Sequence, residues 1–236
     1  METSLSRRRL ITSVGLSAAG LGFLGTTIGG QGATADQAPD GRRVTVLHFT
    51  DTHAQIETHP DYLPGANQEI QMMGGYARLK TAVDRERANS KGACLLLNGG
   101  DEFQGSGPAA WSNGEVILEP LKGFDLDAFV PGNWEPAYGP EIFKKTMSLL
   151  NCPVVCYNFH DIASGNRIFP ASVTIDRQGV KTIVVGVTDI GASSRQPPAD
   201  FHGMDTSRME GLRDYVKEVR NREKPDLVVA LTHTGG

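Results

Sequence analysis

The stretch Val44 to His53, VTVLHFTDTH, restricts this chain more than any other. Val44 to Phe49 is an apolar, β-branched run of strand length, and it stops at Thr50 just before Asp51 and His53, two metal-ligating residue types. Side chains two apart at the end of a strand can converge on one ion. The pattern recurs downstream. Cys94-Leu95-Leu96-Leu97-Asn98 runs into Gly99-Gly100-Asp101, Ala128-Phe129-Val130 into Pro131-Gly132-Asn133, and Leu227 to Leu231 into Thr232-His233. Strands that deliver Asp, His or Asn where they give way to loops describe an α/β protein with its site at the strand ends. Taken singly, Asp51, Asp101 and Asn133 are also ordinary turn residues and His53 an ordinary loop histidine. Taken together they form a mixed oxygen and nitrogen sphere suited to a pair of divalent ions such as Mn, Zn, Fe or Mg, with Asp101 on the middle strand as the natural bridge.

Residues 1–35 stand apart from the fold. Arg7-Arg8-Arg9 precedes a run of Ala, Gly, Leu and Thr from about Ile11 to Ile28, and Ala33-Thr34-Ala35 offers a small-x-small cleavage site. This resembles a twin-arginine export signal, which implies the twin-arginine export machinery as a partner, a periplasmic or secreted protein, and no stable membrane span after processing. Such export carries folded protein, often with its cofactor already bound. Residues 36–43 read as a polar linker. With a net charge of −4 and no basic block after the leader, nothing points to nucleic acid as a partner. Cys152 and Cys156, in an extended segment, would lie roughly 13 Å apart, too far for a disulfide, so the cysteines read as core residues.

Along the rest of the chain strand and helix patterns alternate. The expected elements are a strand from Val44 to Phe49, a helix from Gly75 to Asn89, a strand from Ala93 to Asn98, a helix near Glu115 to Gly123, a strand from Ala128 to Val130, a helix from Pro140 to Leu150 and a strand from Val154 to Tyr157. Ala171 to Asp176 and Lys181 to Thr188, joined by Arg177-Gln178-Gly179-Val180, read as an antiparallel hairpin. A helix from about Ser207 to Arg222 and a strand from Asp226 to Leu231 follow. Repeated strand–helix units predict a mainly parallel sheet covered by helices.

Thr50-Asp51-Thr52-His53, Asn98-Gly99-Gly100-Asp101 with Phe103-Gln104-Gly105-Ser106, Gly132-Asn133-x-Glu135 and Thr232-His233 resemble, in order, the motif blocks of the calcineurin-like metallophosphoesterases, specifically the 5'-nucleotidase group. The resemblance implies an α/β fold of four layers, α/β/β/α, over residues 44–236, and a dinuclear site built on Mn, Zn or Fe. Asp51 and His53 would bind the first ion, Asp101 would bridge, and Asn133 and His233 would bind the second. Glu135 would hold a ligand in place. His48, His59, His160 and His202 match no ligand block and read as structural or surface residues.

Two departures qualify the resemblance. The family continues to a Gly-His-x-His block and a C-terminal substrate-binding domain, so the expectation is a domain incomplete at its C-terminal side, with the substrate-binding domain absent. In the nucleotidases the third block reads Gly-Asn-His-Glu-Phe-Asp, and its His-Asp pair stabilises charge on the phosphoryl group. Here Trp134 and Ala137 stand at those positions. The Trp-Glu-x-x-Tyr-Gly form is similar to that of the thiosulfohydrolases of the bacterial Sox pathway, which release a sulfonate from a carrier-protein cysteine. The expected partner is therefore a small phosphorylated substrate or a sulfur-carrier protein. A binding domain that kept the fold and lost the chemistry is the alternative from another class. Trp111 and Phe103 could line a substrate mouth or pack on the following helix, and Arg195 could meet an anion or be a solvated loop residue.

Overall fold

Helices separate the apolar runs Thr45–Phe49, Cys94–Asn98 and Ala128–Phe129, and the runs Val180–Val187 and Leu227–Thr232, and within each set the strands pair in parallel. The computed structural model describes residues 42–62 and 70–234; the export-signal reading and the linker as far as residue 41 lie outside them. In chain order the elements are β1 (Thr45–Phe49), β2 (His59–Tyr62), β3 (Ile70–Met73), α1 (Tyr76–Asn89), β4 (Cys94–Asn98), α2 (Gly107–Trp111), α3 (Leu118–Lys122), β5 (Ala128–Phe129), α4 (Pro140–Leu149), β6 (His160–Asp161), β7 (Ser172–Arg177), β8 (Val180–Val187), α5 (Ala192–Arg195), β9 (Met204–Asp205), α6 (Leu212–Glu223) and β10 (Leu227–Thr232). One sheet runs β1-β4-β5, all parallel, and a second runs β10-β8-β7, with β8 and β10 parallel and β7 antiparallel.

The two sheets face each other across one core. Val184 of β8 and Leu231 of β10 join Leu97, Phe129 and Val155 in a single buried cluster. Alternate residues point the other way: Ile183, Val185 and Val228 lie under Leu212, Tyr215, Val216 and Val219 of α6. On the far side of the first sheet, Leu79, Ala82 and Val83 of α1 surround a small cavity with Leu47, Phe49 and Leu96. Phe124, after α3, meets Phe49 and Tyr76 at ring centroid distances of 5.0 and 5.6 Å. The order is helix, sheet, sheet, helix, the four-layer α/β arrangement expected from the motifs. Among the described residues no helix is long and apolar enough to cross a membrane, and Cys94, Cys152 and Cys156 are free thiols.

Some elements differ from the sequence expectation, each for a physical reason. Val154 to Tyr157 is not a strand of either sheet. The Val155 amide donates to the Phe129 carbonyl at 2.9 Å, in the first sheet, whereas the Tyr157 amide donates to the Gly186 carbonyl at 2.8 Å, in the second. The segment therefore crosses between the sheets, and it does so at contact distance: a Cβ on Gly186 would lie 2.0 Å from the Val155 oxygen. The helix expected over Glu115 to Gly123 divides into a 3-10 turn, Glu115–Ile117, and α3. α6 starts at Leu212 rather than near Ser207, because Gly211 before it is left-handed, with φ of 78°. The ribbon of β2 and β3 was not signalled by any alternation. The hairpin of β7 and β8 turns tightly through Gln178 and Gly179, both at positive φ.

Phe129 is fully buried where β5 meets the crossing segment, and its ring meets Phe103 edge-on at 6.2 Å. Phe129→Ala should cost about 3–5 kcal/mol in urea unfolding. Trp111→Ala, at a side chain that packs on almost nothing, should stay within about 0.5 kcal/mol of the parent.

Candidate metal centre

The backbone after β1 is unusual. Asp51, His53 and Ala54 have φ of 55°, 47° and 54°, and Asp101, after β4, has φ of 59°. Left-handed backbone costs a non-glycine residue roughly 1–2 kcal/mol, and here hydrogen bonds between the two turns hold it. The Asp51 amide donates to the Gly100 carbonyl at 2.9 Å and the His53 amide to the Asp101 carbonyl at 3.0 Å. The turns are zipped together, which sets Asp51 and His53 beside Asp101. The turn after β5 approaches just as closely: a Cβ on Gly132 would lie 2.1 Å from Asp101 Oδ1, and one on Gly100, at φ 89°, would lie 2.3 Å from the Gly132 nitrogen. Only glycine fits at either place.

Both histidines are oriented from behind. His53 Nδ1 lies 3.1 Å from the Gln104 carbonyl and His233 Nδ1 lies 2.7 Å from the Gly99 carbonyl. A carbonyl only accepts, so each Nδ1 carries the proton and donates it, and each Nε2 turns towards the acids. His233 Nε2 is 3.3 Å from Asp101 Oδ2 and 3.0 Å from Asn133 Oδ1, and His53 Nε2 is 3.9 Å from both Asp101 Oδ2 and Asp51 Oδ1. Ligand atoms of Asp51, Asp101 and His233 all lie within 4.8 Å of one another. Asp101 Oδ1 is occupied by the Trp134 amide at 2.9 Å, so Oδ2 is the oxygen that faces both imidazoles. The structure thus gathers Asp51, His53, Asp101, Asn133 and His233 at one point, from the ends of β1, β4, β5 and β10.

Glu135 lies beneath this group and is buried. One of its oxygens accepts the amides of Asp101, at 2.9 Å, and Gly132; the other accepts the Glu102 amide at 2.7 Å. Its carboxyl ties the β5 turn to the β4 turn and so sets the position of Asp101. Burial and the Asp101 charge raise it to about 8, against the pull of the Asp101 and Glu102 amides. Burial alone would lower His233, but the hydrogen bond and charge of Asp101, with the charge of Glu135 and the Gly99 carbonyl, push it up to about 9. Nε2 faces two oxygen acceptors and holds a proton between them when no other cation is there.

Sequence reasoning missed a second buried carboxylate. Glu102 accepts hydrogen bonds from Thr52, from Tyr76 at 2.6 Å and from Asn98 at 2.8 Å, while Asn98 Oδ1 accepts the Gly100 amide at 2.8 Å. Thr52 sits between Asp51 and His53, so Glu102 links the β1 turn to α1 and β4. Burial raises its carboxyl above the ordinary range. A glutamate after Gly-Gly-Asp carries no sign of burial in sequence; its partner Tyr76 is distant along the chain. His48, read as structural or surface, stands behind the site, where a Cβ on Gly99 would meet its Nε2 at 2.7 Å. His59 and His160 lie on β2 and β6. Arg195 is paired with the buried Asp189 carboxylate. Phe103 is core, whereas Trp111 is 86% exposed.

The family model described as calcineurin-like phosphoesterase matches residues 44–236. A 5'-nucleotidase of Vibrio vulnificus is 30% identical over 237 aligned positions, covering 97% of this chain and 40% of that protein. A 5'-nucleotidase precursor of Thermus thermophilus superposes with a TM-score of 0.69 at 25% identity, over 81% of this chain and 37% of that one. The sulfate thiohydrolase SoxB of Thermus thermophilus gives a TM-score of 0.72 at 20% identity, over 81% of this chain and 44% of that one, a likeness of fold. The chain spans between about a third and two fifths of the length of the curated nucleotidases it matches.

Two outcomes follow from the geometry. Glu135→Gln puts an amide donor against backbone donors, and should cost about 1–3 kcal/mol in chemical unfolding together with a loss of Mn affinity. The raised His233 value means that its charge stabilises the metal-free fold fully below its ordinary 6.5, and that this contribution fades as pH rises through about 9. A divalent ion must displace that proton, so calorimetric Mn affinity should rise steadily from pH 6.5 towards 9, with proton release.

Proposed function

We propose that this chain, which belongs to the calcineurin-like phosphoesterase family, carries the metal site of a hydrolase that cleaves a phosphate ester of the nucleotide class. The observation that supports this most directly is the pair of imidazoles, His53 and His233, each fixed through Nδ1 by a backbone carbonyl and each turned through Nε2 to the free oxygen of Asp101. That arrangement is the ordinary means of presenting histidine to a metal. Carboxylate, imidazole and amide oxygen donors suit Mn, Zn or Fe. Asp51 and His53 would hold one ion, Asn133 and His233 a second, with Asp101 shared. Bound there, the ions would supply Lewis-acid activation of water and of the phosphoryl group.

The chain's own residues set the rest. Asp51 and His53 have side chains 49% and 35% exposed, against 8% and 4% for His233 and Asp101, so substrate reaches the centre from the Asp51 and His53 side. Glu135 fixes Asp101 and does not act on substrate. Trp134 offers a neutral indole N–H where the resembling nucleotidases carry histidine, which removes a cationic donor to the phosphoryl group. That single position supports a second reading, release of sulfonate from a carrier-protein cysteine. The arginine-led N-terminus supports export to the periplasm or beyond by the twin-arginine route.

Metal analysis by mass spectrometry on the chain purified without a metal-binding tag should find close to two divalent ions, lost in Asp101→Asn. No metal in the parent chain counts against the site as drawn. Trp134→His should raise hydrolysis of phosphate esters by about 100-fold, the low end of the range for a restored charge-stabilising donor. A rise on thiosulfonates instead would favour the second reading, and loss on both substrates would sink both.

A further inference from the structure

We propose that Glu102 is a positioning residue for one half of the metal centre: its side chain fixes Asp51 and His53, the ligand pair of the first ion, and leaves Asn133 and His233 to other supports. The proposal rests on the metal-site reading above and gives its two ions separate controls.

Asp51 and His53 reach towards solvent, with side chains 49% and 35% exposed, whereas Thr52 between them turns inward and is buried. Its hydroxyl joins a compact group of oxygens. Thr52 Oγ1 lies 2.5 Å from the Tyr76 hydroxyl, and both hydroxyls donate to one oxygen of Glu102, that of Tyr76 at 2.6 Å. The other oxygen of Glu102 accepts the Asn98 side-chain amide at 2.8 Å. Thr52, Tyr76, Asn98 and Glu102 are all buried, so a hydroxyl that loses this acceptor has no water to replace it. Tyr76 also holds the far end of the same loop, its amide donating to the Ile56 carbonyl at 2.9 Å. The first residue of α1 thus clamps residues 52–56 at both ends, and Glu102 is the acceptor on which the clamp closes.

The clamp matters because the loop is left-handed at Asp51, His53 and Ala54, a conformation that lasts only where its surroundings over-determine it. The Asp51 and His53 amides fix where the turn lies. A buried side chain between them fixes how it is rotated, and so where the two ligands point. The second pair is held differently. His233 is set by the Gly99 carbonyl at 2.7 Å, and the turn that carries Asn133 by the Gly132 amide on Glu135. Among the described residues, neither Asn133 nor His233 is hydrogen-bonded to Glu102, Thr52 or Tyr76. Glu102 meets Glu135 through its backbone amide, at 2.7 Å, a bond that a change of side chain leaves in place. Glu135 therefore governs the shared Asp101, and Glu102 governs the first pair alone.

The test titrates the full chain with Zn, a diamagnetic ion, and follows the ring nitrogens of His53 and His233 by NMR. Thr52→Val keeps the side chain's shape and removes its hydroxyl. In Thr52→Val and in Glu102→Gln, the Zn concentration that shifts His53 should rise about 10- to 100-fold, while that for His233 stays at the parent's. Tyr76→Phe, distant in sequence from every ligand, should move His53 in the same direction, and Thr52→Ser, which keeps the hydroxyl, should titrate like the parent. Equal weakening at both histidines would mean general loss of structure and overturns the positioning role. So does an unchanged His53 titration in Thr52→Val, and either result leaves the metal-site reading intact. Zn that shifts neither histidine in the parent overturns both.

Discussion

The carboxylate of Glu135 accepts backbone N–H groups from Gly132, Asp101 and Glu102, and the arrangement of the whole centre depends on it. Two strand-end turns, after β4 and β5, cannot lie this close without a shared acceptor for amides that burial has taken from water. Glu102 braces the other side, accepting side-chain hydrogen bonds from the Thr52 and Tyr76 hydroxyls and the Asn98 amide. Asp101 therefore sits between two buried glutamates, and its own carboxylate is left with one oxygen committed and one free. The left-handed backbone at Asp51, His53 and Asp101 persists because these bonds over-determine it.

The cost of the arrangement is electrostatic. Asp51, Asp101, Glu102 and Glu135 gather negative charge in a partly dry place, and the values of Glu135 and His233 move upward together in response. Burial, with the Asp101 charge second, raises Glu135, whereas the hydrogen bond and charge of Asp101 raise His233 against burial, so positive charge near Asp101 is favoured. A proton on His233 supplies that charge weakly; a divalent ion would supply it with more charge and more ligands. Gathering these carboxyls works against local stability, and the surrounding core must offset it.

That core is organised to keep the strand ends level. Parallel pairing aligns the C-terminal ends of β1 with β4 and of β10 with β8, and the His233 contact to the Gly99 carbonyl sets the two pairs of ends side by side. The crossing segment Val154 to Tyr157, hydrogen-bonded first to one sheet and then to the other, fixes their separation. His233, on the second sheet, reaches the first through the Gly99 carbonyl, so a ligand from β10 meets ligands from β1, β4 and β5 across the interface.

What the sequence determined by itself was local and periodic. Apolar runs of strand length, the helices between them and the ligating residue type at each strand end were legible, because strand period, helix period and turn chemistry act over a few residues. So was the convergence of Asp51, His53, Asp101, Asn133 and His233, through the order of their motifs. Tertiary structure alone decided the rest. Val154 to Tyr157 has strand composition, and only the second sheet's approach at Gly186 turns it into a crossing. Glu102 and His48 carry no mark in sequence, and Trp111 could have been packed. Burial of a charge and exposure of an indole depend on which distant segments come to lie beside them, and no short-range pattern encodes that.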